Sequence, residues 1–361
     1  MPKLQQAAAS RGGTSPRGRA VATRERHPSM PSAGAPPAAR RRRRAGGAGP
    51  ASRLVVPSGR DAVVAIGERE VRLTNLDKIF WPSIGVTKRE LLQYYADVSA
   101  VLLPHLVQRP MVMKRYPDGA AGEPFFMKRA PTPRPAWIET YAIAHASGNV
   151  IDFPMVQDLA SLLWIVNLGC IDLNPWYATC DDVDRPDFLH FDLDPVPDAT
   201  YESVAGTARL VRTALQGLGM RPLVKTTGSR GLHVYVAIAH GPTQKDVWRF
   251  AKRFAFEIAG VRPDLVTAEY RIAKRPAGRV LVDYNQNAWG RTLAAAYSPR
   301  PRPDATVSAP IGWDELDAGA RNDDFDIRNM PARIEAVGDL WAALIQEAGR
   351  FDLAPLLRSI R

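Results

Sequence analysis

Long apolar runs are missing from this 361-residue chain. No stretch approaches the roughly 20 residues that span a bilayer, and the first residues lack the hydrophobic segment of a secretory signal. A cytosolic protein is expected. Cysteine is nearly absent: Cys170 and Cys180 are the whole complement. With no Cys/His cluster at ligand spacing, neither a disulfide framework nor a zinc site is supported. No internal repeat is found. Acidic residues are scarce in one place only. Residues 1–53 carry 12 Lys/Arg against the single acid Glu25, whereas the remaining 36 basic and 36 acidic residues balance. The formal charge of +11 is therefore a property of the tail and says nothing about the rest. Rich in Ala, Gly, Pro and Arg, with a run from Arg40 to Arg44, that tail is expected to be disordered. A dispensable extension or mis-assigned start and a non-specific phosphate-binding arm explain it equally well.

What the chain does have is Phe188-Leu189-His190-Phe191-Asp192-Leu193-Asp194-Pro195. On a strand, Asp192 and Asp194 project to one face and Leu189, Phe191 and Leu193 to the other. Two carboxylates about 7 Å apart repel, an arrangement most easily explained by a divalent cation between them. A strand end meeting an Asp-Pro turn is the plain alternative.

Around this stretch the pattern is α/β. Arg69–Leu73, Met111–Tyr116 and Phe125–Lys128 read as strands. Thr87-Lys88-Arg89-Glu90 is a capping box for a helix with Leu91, Tyr94, Tyr95, Val98 and Leu102 inward, ending before Pro104. Helical spacing returns over 156–168 and over 201–218. A strand over 222–227, a tight Gly228–Gly231 turn and a strand over 232–238 follow. A helix capped at Thr243 runs to about Ala259, with a strand over 279–284 after it. Strand, helix, hairpin, helix, strand describes an α/β (α+β) sandwich, a mostly antiparallel, RNA-recognition-motif-like sheet flanked by helices. Residues 54–180 are expected to form an N-terminal α/β module, 181–310 the RNA-recognition-motif-like module and 311–361 a helical segment, with a helix over 334–348.

Three features stand beside the acidic pair. Asp283 ends the apolar strand Arg279–Tyr284; alone it is an ordinary strand-end aspartate. Lys225-Thr226-Thr227-Gly228-Ser229-Arg230-Gly231-Leu232-His233 offers hydroxyls, backbone amides and cations to phosphate, and equally makes an ordinary hairpin turn. His233 shares the face of Tyr235, opposite Leu232, Val234 and Val236, which argues against a core histidine. Arg300 and Arg302, in a proline-stiffened extended segment, are expected to emerge on one side and suit a polyphosphate; a rigid exposed connector is the alternative.

Taken jointly, these motifs resemble the polymerase domain of bacterial DNA ligase D, a member of the archaeo-eukaryotic primase superfamily. The resemblance covers about residues 70–320 and includes Leu73–Lys78, Tyr94-Tyr95-Ala96, Asn167-Leu168-Gly169, Phe191–Pro195, Lys225–Tyr235, Asp283–Asn287 and Tyr297-Ser298 leading to Arg300 and Arg302. It implies 3′-end extension and gap filling with NTPs or dNTPs in bacterial non-homologous end joining. It further implies two divalent cations, Mn²⁺ or Mg²⁺, on Asp192, Asp194 and Asp283.

By the same resemblance Asn174, Thr227, Arg230, His233, Gln286, Arg300 and Arg302 bind the incoming nucleotide. Asn75, Lys78 and Lys88 surround a downstream 5′-phosphate, Phe125 and Phe126 stack on bases, and Lys114 and Arg115 contact template phosphates. Many relatives carry histidine where this chain has Asn174. Asparagine can still bond a 2′-hydroxyl but cannot be cationic, which leaves the sugar preference open.

No lysine-nucleophile ligase motif and no nuclease segment are found. A stand-alone domain is therefore expected, working at the nucleoid with a Ku-like end-binding protein and a separate ATP-dependent ligase. Two competing readings are a metal-dependent DNA phosphodiesterase, which the triphosphate-directed arginines oppose, and a non-catalytic DNA-end-binding scaffold, which three intact aspartates oppose.

Overall fold

The computed structural model describes residues 53–145 and 147–359. Apart from Arg53, the basic tail lies outside the described residues. Arg53 itself belongs to the folded part, where its guanidinium donates Nε and Nη2 to the two oxygens of Asp97, each at 2.8 Å.

The first described elements are two antiparallel hairpins, β1 (Ala62–Ile66) with β2 (Arg69–Leu73) and β3 (Ile79–Trp81) with β4 (Val86–Thr87). Helix α1 (Lys88–Leu102) starts where the capping box places it: the Thr87 side chain accepts from the Glu90 amide, and the Glu90 carboxylate accepts from the Thr87 amide. Its Leu91, Tyr94, Tyr95, Val98 and Leu102 are all buried, as the spacing predicts. Next come β5 (Met111–Arg115), β6 (Phe125–Met127), the hairpin β7 (Thr140–Ala144) and β8 (Val150–Pro154), α2 (Leu159–Asn167) and β9 (Cys170–Pro175). Asp158 caps α2, so the helix begins later than its apolar spacing suggests. The β6-β5-β9 sheet carries this part of the chain.

The larger sheet is built from β10 (Phe188–Pro195), β11 (Leu223–Thr226), β12 (Leu232–Ala237), β13 (Val266–Thr267), β14 (Val280–Asp283) and β15 (Pro310–Ile311), in the order β13-β14-β10-β12-β11-β15. Only the β13–β14 pair is parallel. Helices α3 (Tyr201–Gly217) and α4 (Gln244–Val261) pack on one face. Phe191 meets Phe254 there at 4.7 Å between ring centroids, and Leu189 and Leu193 are fully buried beside it. Each such side chain contributes roughly 1.5–3 kcal/mol relative to exposure. Strand alternation then sends Asp192 and Asp194 to the opposite face. The α+β class with an RNA-recognition-motif-like sheet is what the sequence predicts.

The C-terminal segment departs from expectation. Short helices α5 (Trp313–Asp317), α6 (Met330–Val337) and α7 (Ala354–Arg358) replace the helix expected over 334–348. Helix α6 stops at Gly338, whose φ of +73° is left-handed. Beyond it Asp339 accepts from Tyr297 Oη at 2.6 Å and pairs with His105 Nε2 at 2.9 Å, while the Trp341 ring packs edge-on to Tyr235 at 5.4 Å. These tertiary contacts outweigh helix propensity. Among the described residues no helix is long and apolar enough to cross a membrane.

Candidate active site

Strand register brings the acidic residues together. Asp192 on β10 is directly opposite Asp283 on β14 and, on its other side, opposite His233 on β12. Burial and the neighbouring Asp283 push the Asp192 carboxyl up to about 7. Asp192, then burial, then Asp283 do the same to Asp194, up to about 7. Like charges crowded in low dielectric favour the protonated form.

Asp192 Oδ1 lies 3.1 Å from His233 Nε2 but off the hydrogen-bond direction. This buried oxygen consequently has no donor among the described residues. Asp283 is oriented by its own turn, its oxygens accepting from the Asn285 amide at 2.8 Å and from Gln286 Nε2 at 3.0 Å. Gln286 thus braces a carboxylate. Three carboxylates with a donorless buried oxygen are a hard donor set that fits Mg²⁺ or Mn²⁺. Among the described residues no three such side chains are closed to coordinating distance, so the fit rests on register and donor chemistry.

Two basic side chains of the Lys225–His233 motif lie next to the carboxylates, and both are buried. Lys225 is buried, donates to Ser308 Oγ and to the Ala294 carbonyl at 3.2 Å, and is held well below the usual lysine range by burial and then by Arg300. His233 is 2% exposed. It occupies the working face as expected but is a buried histidine, since Lys225, Asp192 and Tyr235 surround it; burial pushes it well below its ordinary value, so it is neutral.

The Gly-bounded turn presses against the acidic strand. A Cβ on Gly231 would overlap the Leu193 carbonyl oxygen, between the two aspartates. Only glycine permits that approach. Thr227 Oγ1 accepts from the Ser229 and Gly231 amides, each at 3.1 Å, so part of the turn's donor set is already engaged. Asn322 fastens the turn from a distant loop, accepting from Ser229 N at 3.2 Å and donating to the Gly231 carbonyl at 3.2 Å. No local signal marks it.

Arg300 joins the turn through Nη1, which donates to the Thr227 carbonyl at 2.8 Å. The segment is a tight turn and not an extended strand, with Ala305 N bonding the Arg302 carbonyl at 2.9 Å, and Arg302 is exposed on it. Arg230 is exposed at the turn, and its charge bears on Asp194. Asn174, 6% exposed on β9, donates Nδ2 to the Asp172 carbonyl at 3.1 Å.

Further from the carboxylates, Asn75, Lys78 and Lys88 do come together, lining a cleft of about 370 Å³ with Arg115 and Asn167. Lys88 is buried, not a surface lysine: Nζ donates to the Thr74 carbonyl at 2.7 Å, and burial, then Lys78, lower it to about 8. Lys78 Nζ donates to the Pro117 carbonyl at 2.6 Å. Arg115 belongs with this cleft, whereas its neighbour Lys114 faces the opposite side of β5. Phe125 and Phe126 are 44% and 63% exposed on the edge strand β6, so they are not core residues. Arg115 lies over the Phe125 ring at 5.2 Å and Lys114 over Phe126 at 5.6 Å.

This arrangement has counterparts. A family model described as the LigD primase-polymerase domain matches residues 87–341. The chain is 35% identical over 294 residues to the multifunctional non-homologous end joining protein LigD of Mycolicibacterium smegmatis, covering 81% of this chain and 38% of that protein. It is 31% identical over 276 residues to the LigD of Pseudomonas aeruginosa, covering 75% and 32%. It therefore spans well under half the length of these curated relatives. Among solved structures, the polymerase domain of Mycobacterium tuberculosis ligase D in complex with DNA matches with a TM-score of 0.71 and 32% identity, over 76% of this chain and 98% of that one. Fold, sequence and the span of the match agree, and the chain belongs to the LigD primase-polymerase domain family.

Proposed function

We propose that this chain is a DNA-directed nucleotidyltransferase that extends 3′ ends and fills gaps with NTPs or dNTPs during bacterial non-homologous end joining. One observation carries the reading: Asp192, Asp194 and Asp283 lie on adjacent strands, and the Thr227–Gly231 turn with Arg300 closes on the same strand end. Phosphoryl transfer of this kind needs positioning and charge neutralisation more than acid–base groups.

Asp192, Asp194 and Asp283 would hold two Mn²⁺ or Mg²⁺ ions, which supply neutralisation of the charge that develops as a 3′-oxygen displaces pyrophosphate. Gln286 fixes the Asp283 carboxylate. The free amides of the turn, Arg230 and Arg300 receive the triphosphate, and neutral His233 backs Asp192 instead of adding a cation. The cleft of Asn75, Lys78, Lys88 and Arg115 is suited to a 5′-phosphate, and Phe125 and Phe126 to stacking on unpaired bases without reading them. A Ku-like end-binding protein and an ATP-dependent ligase are the partners such an activity requires.

The test is incubation with Mn²⁺, a labelled gapped duplex bearing a 5′-phosphate, and NTPs or dNTPs. Extension by one or a few nucleotides is expected. Shortened strands would support hydrolysis instead, and binding without extension a scaffold.

A further inference from the structure

Asp172 has no part in the reading above, yet it is 1% exposed and stands where the two halves of the site meet. It lies on β9 in register with Lys114 on β5. Its Oδ2 is 4.0 Å from Lys114 Nζ and 3.5 Å from Arg300 Nε. Neither Asp172 Oδ1 nor Arg300 Nε has a directed hydrogen bond among the described residues. Burial pushes the Asp172 carboxyl up, and Arg300 and then Lys114 are the charges that oppose this and favour its ionised form.

Those cations face different ends of the site. Arg300 gives Nη1 to the Thr227 carbonyl and turns Nε toward Asp172, which leaves its Nη2 edge to offer an anion. Lys114 lies over the exposed Phe126 ring. Both cations keep part of their side chain exposed, 22% for Lys114 and 20% for Arg300, so each can meet an anion on the side turned away from Asp172.

We infer that Asp172 is a positioning residue, a shared counter-ion that aims Arg300 at the incoming triphosphate and keeps Lys114 beside the base-stacking face. Nucleotide side and template side are thereby aligned by one side chain. The inference rests on the polymerase reading and adds a residue to it.

The experiment is a double-mutant cycle on the full chain with Asp172→Asn, Arg300→Ala and the pair. It measures nucleoside triphosphate binding at equilibrium, and KM and kcat on a gapped duplex. Asp172→Asn is expected to weaken triphosphate binding and raise KM about tenfold, with kcat changed less than about threefold. In the Arg300→Ala background it should add nothing. Wild-type binding by Asp172→Asn, or a loss that adds fully to that of Arg300→Ala, overturns the inference; a merely structural role would give additive losses and a lower kcat.

Should Asp172→Asn fail to fold, Arg300→Lys serves, because an ammonium has no planar Nε edge to set against Asp172. The same tenfold loss is expected, and wild-type binding overturns the inference. A wild-type chain that binds and extends while these variants behave as wild type removes the inference alone. A wild-type chain that neither binds triphosphate nor extends DNA removes the polymerase reading and this inference with it.

Discussion

Asp192 and Asp283 are directly opposed across an antiparallel ladder, two carboxylates from distant parts of the chain placed side by side by strand register. Such a pair destabilises the protein that carries it unless a cation is bound, and that conflict is open to measurement.

In chelator, Asp192→Asn is expected to stabilise the protein at neutral pH. Asp192 is held up to about 7 against an unfolded value of 3.8. The folded state thus binds more protons between those values, and its stability falls as pH rises through that window. Asparagine cannot ionise, so the variant should exceed wild type by about 2–4 kcal/mol near pH 8, and the difference should shrink toward pH 4. Urea denaturation at both pH values checks this. An equal pH dependence in the two proteins would contradict the crowding of the carboxylates.

Lys88→Met should separate stability from function. Burial lowers Lys88 to about 8, so its charge is unfavourable in the folded state below that pH, and the cost fades as pH rises toward 10.5. Methionine keeps the stem and removes the charge. The expected result is a Tm at or above wild type at pH 7, with about a tenfold loss of preference for a 5′-phosphorylated gap. In wild type the same preference should decline as pH passes about 8. A lower Tm with unchanged preference would place Lys88 in the core alone.

Gly231→Ala tests the close approach of turn and strand. The added methyl cannot fit against the Leu193 carbonyl, so the turn must move, at a cost of roughly 1–3 kcal/mol. Nucleotide KM should rise about tenfold or more, while affinity for a gapped duplex without nucleotide is kept. Equal loss of both would mean that the turn does not face the triphosphate.

Phe126→Ala removes a ring that is 63% exposed and contributes little to the core. Its Tm should match wild type, and binding to short single-stranded overhangs should weaken by about 1–3 kcal/mol, as measured by fluorescence anisotropy. Unchanged binding would exclude base stacking at this position.

Much of this was legible in the sequence because it is local. Period-two alternation placed Asp192 and Asp194 on one face, and the Thr87 and Thr243 caps located α1 and α4. What was not legible depends on partners remote in the chain. His233 shares a face with Tyr235 in any strand, but only six assembled strands with Lys225 alongside bury it. The helix expected past Gly338 is broken by the pull of Tyr297 and His105 on Asp339. The prolines around Arg300 and Arg302 suggest an extended segment, but the Pro299–Val307 bridge closes it into a tight turn. Asn322 carries no motif, and the stretch around Asp172 assigns that aspartate no role; both become recognisable only once the groups beside them are in place.

The most direct test of the central claim is extension of a labelled primer across a 5′-phosphorylated gap, in Mn²⁺ with nucleoside triphosphates, by wild type, Asp192→Ala and Asp283→Ala. Wild type should extend the primer, and each variant should lose about a thousandfold or more in rate while still binding the duplex. Extension that survives either substitution at a rate near wild type would contradict the account.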